Sequence, residues 1–266
     1  MPELPEVEVV RRELLQWVKG REILGVESLD PKFVLPSERV EKKVIQDVLR
    51  KGKFLFFQLD DGNWILSHLG MTGRFVFSQQ KITSPYLRFV FCFHGNWLFY
   101  LDTRKFGRLQ YLTSQEQKVF WEKIGIDPLS SEFTLENFLK LFEGKKTQVK
   151  SFLMDQHYVA GLGNIYVNEI LFRSGIHPRT PVSTLSTSQK ERLFVTILEV
   201  LKKAIALQGT TIRDFSHGEG EEGGFQEFLL VYGKANCPVC GREIKREKIQ
   251  SRSTFFCSFC QRTQCD

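Results

Sequence analysis

What the 266-residue sequence lacks narrows its reading first. No apolar run approaches the roughly 20 residues that a membrane span requires, so no membrane partner is expected. The opening Met1-Pro2-Glu3-Leu4-Pro5-Glu6 is acidic and broken by prolines, unlike a secretory signal peptide. These absences imply a cytoplasmic protein, whose cysteines should be reduced or bound to metal. No segment repeats. Nor is the chain poor in apolar residues: 42% hydrophobic and 26% charged are ordinary globular values, which argues against intrinsic disorder. The length suits two domains, each able to bury a core.

What is present begins with charge. The formal net charge is +6 and the pI about 9.0. Before Gly144, 20 basic residues face 19 acidic ones; after it, 17 face 12, so the excess is C-terminal. Lys and Arg neutralise phosphates and release counterions, so a basic half fits a polyanion partner. A solvated basic surface gives the same count, and charge alone does not choose between them.

Pro5 suits the first turn of a helix, and Val7, Val10, Leu14 and Val18 recur at three- and four-residue spacing until Gly20, which predicts an N-terminal amphipathic helix. From about Lys53 to Leu112, short runs rich in Phe, Val, Leu and Trp predict strands at 54–59, 64–69, 87–93 and 97–101. Asp61-Gly62 and Gly95-Asn96 fall between successive runs, where hairpin turns need positive φ. An antiparallel sandwich or barrel is the expected closure. Helical spacing returns from Thr134, at Phe138, Leu141 and Phe142, then over 165–172 and 193–207; Ser174-Gly175-Ile176-His177-Pro178 ends one of these helices. The acidic, glycine-rich stretch Gly218–Gly224 reads as an exposed loop.

Cys237-Pro238-Val239-Cys240 and Cys257-Ser258-Phe259-Cys260, with sixteen residues between the pairs, match the spacing of a tetrathiolate zinc site. A two-residue gap lets both sulfurs of a knuckle face one ion, and the intervening length suits a β-hairpin. Two disulfides or a redox pair are the competing readings. A closed four-sulfur shell leaves no place for a catalytic water, so one zinc ion here would be structural. Lys245, Arg246, Lys248 and Arg252 crowd the hairpin, which resembles a metal-stapled finger offering cations to phosphate. Cys92 and Cys265 read as a core thiol and an exposed spare.

The opening Pro2-Glu3-Leu4-Pro5-Glu6-Val7-Glu8 resembles the N-terminal signature of the formamidopyrimidine-DNA glycosylase family. Lys53 in Arg50-Lys51-Gly52-Lys53-Phe54 resembles the family's lysine, and His68-Leu69-Gly70-Met71-Thr72-Gly73 its intercalation loop. Asp102-Thr103-Arg104-Lys105-Phe106-Gly107 resembles its Arg/Phe loop, and Gly161-Leu162-Gly163-Asn164-Ile165-Tyr166 its helix-two-turn-helix motif. The zinc finger closes a match that runs through almost the whole chain in one order. The resemblance implies an α+β fold of two domains: an N-terminal antiparallel β-sandwich flanked by helices, then a C-terminal helical domain with a helix-two-turn-helix and a four-cysteine β-hairpin zinc finger. The segments expected are 2–130 for the catalytic sandwich, 131–225 for the helical DNA-binding part with a lesion-capping loop, and 226–266 for the finger.

The resemblance further implies a monomeric bacterial base-excision-repair enzyme working at the nucleoid. Its partner is double-stranded DNA carrying oxidised bases or abasic sites, from which it removes oxidised purines and then cleaves the strand by β,δ-elimination. With Met1 removed, Pro2 is the nucleophile that attacks the sugar C1′ and becomes an iminium, an electron sink. Glu3 protonates the ring oxygen and shuttles protons, Lys53 contacts phosphate and assists proton transfer, and Arg252 acts from the finger tip. Because a stacked base is out of reach, the nucleotide is everted, and Met71, Arg104 and Phe106 fill and bond the hole. Lys145, Lys150 and Asn164 grip phosphates; Cys237, Cys240, Cys257 and Cys260 hold Zn²⁺.

The sequence departs from the family pattern in three places. Thr83-Ser84-Pro85-Tyr86 stands where Lys-His-Asp-His is frequent, Thr103 and Lys105 where Pro and Arg are, and residues 216–225 are more acidic than the usual capping loop. The sister class resembling endonuclease VIII, which prefers oxidised pyrimidines, usually begins Pro-Glu-Gly-Pro, so Leu4 favours the purine branch. A non-catalytic zinc-finger protein binding damaged DNA would have no need of the Pro2-Glu3 pair.

Overall fold

Pro5 sits in the first turn of α1 (Leu4–Val18), where a missing N–H costs nothing, and Glu6 closes the turn by accepting the Glu3 N–H at 2.8 Å. The computed structural model describes residues 1–210 and 223–262. Val7, Val10, Leu14 and Val18 form the buried stripe of α1, and Gly20 at φ 77° turns the chain away.

That stripe packs on two antiparallel sheets. In chain order the elements are β1 (Gly25–Ser28), the single turn α2 (Ser37–Val40), β2 (Ile45–Lys51), β3 (Phe54–Leu59), β4 (Trp64–His68), β5 (Gly73–Ser78), β6 (Leu87–Phe93), β7 (Asn96–Asp102), β8 (Arg108–Leu112) and α3 (Ser114–Glu122). One sheet runs β1-β6-β7-β5, the other β2-β3-β4-β8. Their inner faces meet in a ring-filled core in which Phe57 lies 5.8 Å from Phe75 and 6.2 Å from Phe91. Each such buried side chain contributes about 1.5–3 kcal/mol. The run at β3 is apolar at every position but Gln58 because both its faces are covered: Leu55, Phe57 and Leu59 point into the core, while Phe54 and Phe56 meet Phe120 and Trp121 of α3 at 5.1 and 5.0 Å. Gly62 and Gly95 take the positive φ their hairpins require, 81° and 68°. The expected strands at 54–59, 64–69, 87–93 and 97–101 are β3, β4, β6 and β7 to within a residue. β2 lies wholly before the strand-rich interval because its polar residues and a bulge between Ile45 and Asp47 blur the alternation.

Residues 1–123 and 207–224 make one compact unit; residues 124–206 and 225–266 make the other. The second holds α4 (Leu135–Lys140), α5 (Val149–Met154), α6 (Asn164–Arg173), α7 (Thr187–Ala206) and the hairpin β9 (Lys245–Ile249) and β10 (Arg252–Phe256). A chain of rings holds the helices: Phe142 lies 5.0 Å from Phe138 and 4.6 Å from Phe152. α6 ends where Gly175, at φ 66°, donates to Phe172 C=O and Ile176 donates to Leu171 C=O, a Schellman motif. Fully buried Glu169 accepts the N–H groups of Leu230, Val231 and Tyr232, each at 2.9 Å, anchoring the chain that leads to the hairpin. The architecture is the expected two-domain α+β fold. Most of the acidic loop, residues 218–222, and Cys265 lie outside the described residues.

Candidate functional site

The start of α1 concentrates acid in a dry place. Met1 is exposed, Pro2 is buried, and Glu3 and Glu6 are each 3% exposed. Glu6 is fixed from both sides, its other oxygen accepting the Thr210 N–H at 2.8 Å. Gly209, at φ 79°, makes that approach possible, since a Cβ there would stand 2.7 Å from the carboxylate oxygen. The Glu3 backbone therefore cannot swing without breaking the Glu6 bracket.

One turn further along, Glu8 meets three guanidinium groups: Arg11 at 2.9 and 3.0 Å, Arg12 at 2.9 Å and Arg50 at 3.0 Å. Arg50 also donates to Gly52 C=O at 2.9 Å. Gly52, at φ 58°, and buried Lys53 form the two-residue turn between β2 and β3, so this network ties the helix that starts behind Pro2 and Glu3 to the turn that carries Lys53. Burial pushes the Glu8 carboxyl up, but the Arg11 hydrogen bond and the charges of Arg50 and Arg11 outweigh it and hold the group at about 2, against an ordinary 4.5. A depressed carboxyl stabilises the fold above its unfolded value, and that stability is lost as pH falls through about 2. Glu8→Gln should thus cost roughly 3 kcal/mol at pH 7, with the gap from wild type closing steadily below pH 5. All four tryptophans lie in the first unit, so urea unfolding followed by their fluorescence at stepped pH reads it directly. A gap that does not change with pH would contradict the assignment.

Two neighbouring loops present the void-filling candidates. Met71 is half-buried in the β4–β5 turn; Arg104 and Phe106 are exposed in the β7–β8 loop, the guanidinium 5.0 Å over the ring. Gly70, at φ 62°, lies so close to this second loop that a Cβ would stand 2.4 Å from the Phe106 carbonyl carbon. His68, which is not among the sequence's candidate site residues, packs at a tilt against Phe54 with ring centroids 4.9 Å apart, and its Nδ1 accepts the Gly70 N–H at 3.1 Å. Burial, then the charges of Lys53 and Arg108, push its pKa down to about 4, so it is neutral at physiological pH and keeps that acceptor.

In the second unit, α5, α6 and the hairpin converge on one backbone carbonyl. Ser253 C=O accepts from Lys150 Nζ at 3.2 Å and Asn164 Nδ2 at 2.9 Å, and Lys150 also donates to Thr254 Oγ1 at 2.7 Å. Lys150 is 1% exposed, so its ammonium is spent inside the protein, not displayed. Asn164 Oδ1 is buried and has no hydrogen-bond partner among the described residues. Lys145 lies 4.7 Å over the Tyr158 ring. Arg252 is exposed and, with Thr147, Ser151, Asp155, Tyr158 and Gln250, lines a polar groove of about 400 Å³. Gln250 and Ser251, at φ 47° and 61°, form the two-residue turn that aims it.

The four sulfurs of Cys237, Cys240, Cys257 and Cys260 lie within 4.8 Å of one another. Cys237 to Cys260 is 3.8 Å and Cys240 to Cys257 is 3.5 Å, too long for disulfides. A tetrahedron of thiolates around zinc, with Zn–S about 2.3 Å, places its sulfurs about 3.8 Å apart, so the donor set fits. Cys237 and Cys257 are buried and pack with Phe172, Val231 and Ile244, so the metal would staple the hairpin to α6. Glu6, Glu8 and Arg50 bear on the helix start although none is among the sequence's candidate site residues; Glu6, three residues after Glu3, and Glu8, three and four residues before Arg11 and Arg12, carry local signals, whereas Arg50 lies 42 positions from Glu8.

Three family models match successive stretches of the chain. Residues 1–109 match the formamidopyrimidine-DNA glycosylase N-terminal domain, 124–216 its H2TH domain, and 237–262 a zinc finger found in FPG and IleRS. The chain is 40% identical to the formamidopyrimidine-DNA glycosylase of Lactobacillus helveticus, over 98% of this chain and 99% of that one. A Lactococcus lactis Fpg variant solved with Fapy-dG-containing DNA superposes with TM-score 0.91 at 35% identity, over 98% of this chain and 100% of that one. The wild-type Lactococcus lactis protein, solved with DNA containing an oxidised pyrimidine, gives 0.90 at 34%, with the same coverage. The finger match and the sulfur geometry together make the four cysteines a structural zinc site. With all three family regions matched in register and full-length relatives at this identity, the chain belongs to the formamidopyrimidine-DNA glycosylase family, the DNA glycosylases of DNA repair.

Proposed function

We propose that the protein removes oxidised purines, 8-oxoguanine and formamidopyrimidines, from double-stranded DNA and cleaves the strand at the resulting abasic site, acting as a monomer in the cytoplasm at the nucleoid. The observation that carries this reading is the buried Pro2-Glu3 pair heading a helix whose first turn Glu6 locks. Freed of Met1, Pro2 is a secondary amine. Unperturbed α-amino groups titrate at about 7.7–8.0, and a helix N-terminus favours the neutral form, so little tuning is required.

The amine attacks C1′ of the everted nucleotide; the N–C1′ bond forms as the bond to the base breaks, and the electron pair leaves with the base. Glu3 delivers a proton to the ring oxygen as the sugar opens, and the proline nitrogen, having lost its own proton, becomes an iminium. That cation acidifies C2′, so loss of its proton expels the 3′ phosphate, a second elimination expels the 5′ phosphate, and water releases the enzyme. Lys53, its turn braced through Arg50 and Glu8, contacts phosphate and assists proton transfer. Met71, Arg104 and Phe106 occupy the hole left by the nucleotide. In the second unit Lys145, Asn164 and Arg252 take phosphates, with the groove beside Arg252 supporting that role. Lys150, being buried, serves by holding the Ser253 carbonyl and with it the hairpin turn.

The Lactococcus complex with an oxidised pyrimidine keeps that lesion class as a second substrate reading. Matched duplexes carrying 8-oxoguanine or thymine glycol, treated with borohydride under single turnover, separate the two. Covalent adduct should form faster on 8-oxoguanine. Preference for thymine glycol would overturn the purine assignment, and no adduct on either would overturn the covalent mechanism.

A further inference from the structure

The two loops that carry Met71, Arg104 and Phe106 share one buried carboxylate. Asp102, the last residue of β7, is 0% exposed. Its Oδ1 accepts the Thr72 hydroxyl at 2.5 Å and the Arg104 N–H at 3.1 Å, and its Oδ2 accepts the Gly107 N–H at 2.7 Å. The Arg104 N–H is shared with Thr72 Oγ1 at 3.0 Å. Thr72 follows Met71 in one loop; Arg104 and Gly107 bracket Phe106 in the other. The backbones meet as closely as glycine allows, Gly70 against Phe106 and Gly107, and Gly107 against the Tyr100 hydroxyl, where no side chain would fit. From the outside Lys105, at φ 55°, is pinned by its ion pair with Asp30 at 2.7 Å, and Lys32 donates to its carbonyl.

We propose that Asp102, acting through the Thr72 hydroxyl, is a positioning residue that joins the two loops into one rigid wedge, so that Met71, Arg104 and Phe106 enter the helix as a unit and not as three independent side chains. This rests on the void-filling role proposed above. An exposed Phe and Arg on a loose loop would lose side-chain and backbone entropy at the moment of insertion; a carboxylate that already orders both loops removes that loss. Charge-assisted hydrogen bonds are the strong kind, and this one is sheltered from water.

The wedge is needed to evert a stacked nucleotide and far less to engage a sugar that has no base. Thr72→Val, which keeps the shape and removes the hydroxyl, should slow single-turnover excision of 8-oxoguanine about tenfold or more, the scale set by losing a charge-assisted hydrogen bond. Borohydride trapping on a preformed abasic duplex should stay close to wild type, and Thr72→Ser should restore excision. Asp102→Asn should show the same split more strongly, with tryptophan fluorescence reporting whether the first unit stays folded. Equal losses on both substrates, or no loss from Thr72→Val while Met71→Ala and Phe106→Ala do slow excision, would overturn the positioning role alone. If Met71→Ala and Phe106→Ala leave excision unchanged, the wedge reading itself fails and this inference with it.

Discussion

A preparation that retains Met1 should give no borohydride adduct with an abasic or 8-oxoguanine duplex, and its excision should fall by on the order of 10⁴-fold or more, the scale of losing a nucleophile outright. The reason is electronic. In the uncleaved chain the Pro2 nitrogen is an amide, with no lone pair to give. Intact-mass spectrometry separates the two forms, and the trapped fraction should equal the processed fraction. Pro2→Gly keeps a terminal amine but a primary one, whose adduct is an imine charged only when protonated, so its trapped adduct should form more slowly. Full activity with Met1 in place, or equal trapping by Pro2→Gly, would remove proline from its role.

Loss of the metal should act on binding rather than on the bond-making step. Cys257→Ser should release zinc, detected with a colorimetric chelator, and lower affinity for damaged duplex DNA about a hundredfold or more, equivalent to two charge-assisted contacts of about 1.5–3 kcal/mol each. The path of the damage is specific. Cys257 is buried beside Phe172 of α6, and Ser253 in the same hairpin is the carbonyl held by Lys150 and Asn164, so the groove around Arg252 should lose its shape. Tryptophan fluorescence of the first unit should be unchanged, since all four tryptophans lie there. Global unfolding of both units, or DNA affinity that survives zinc removal, would contradict a structural metal confined to the second unit.

Much of this protein was legible because it is local. A cysteine pair two residues apart, a glycine where a hairpin needs positive φ, and valines at helical spacing each state their geometry within a few residues. The zinc ligands, α1, and β3, β4, β6 and β7 accordingly fall where the sequence places them. The family motifs worked in the same way, as short ordered strings.

The remainder depends on partners far along the chain, and there reading residue by residue has no purchase. Lys150 looks like any basic residue at a helix start, yet its ammonium is buried against Thr254, 104 positions away. Arg50 meets Glu8 across 42 positions, and Asp102 meets Thr72 across 30. Composition and periodicity determined which elements form and which residue types are available for chemistry. Only the tertiary structure decided which charges are neutralised, which loops move together and which titrations shift, because desolvation and Coulomb energy depend on distance in space, not on separation along the chain.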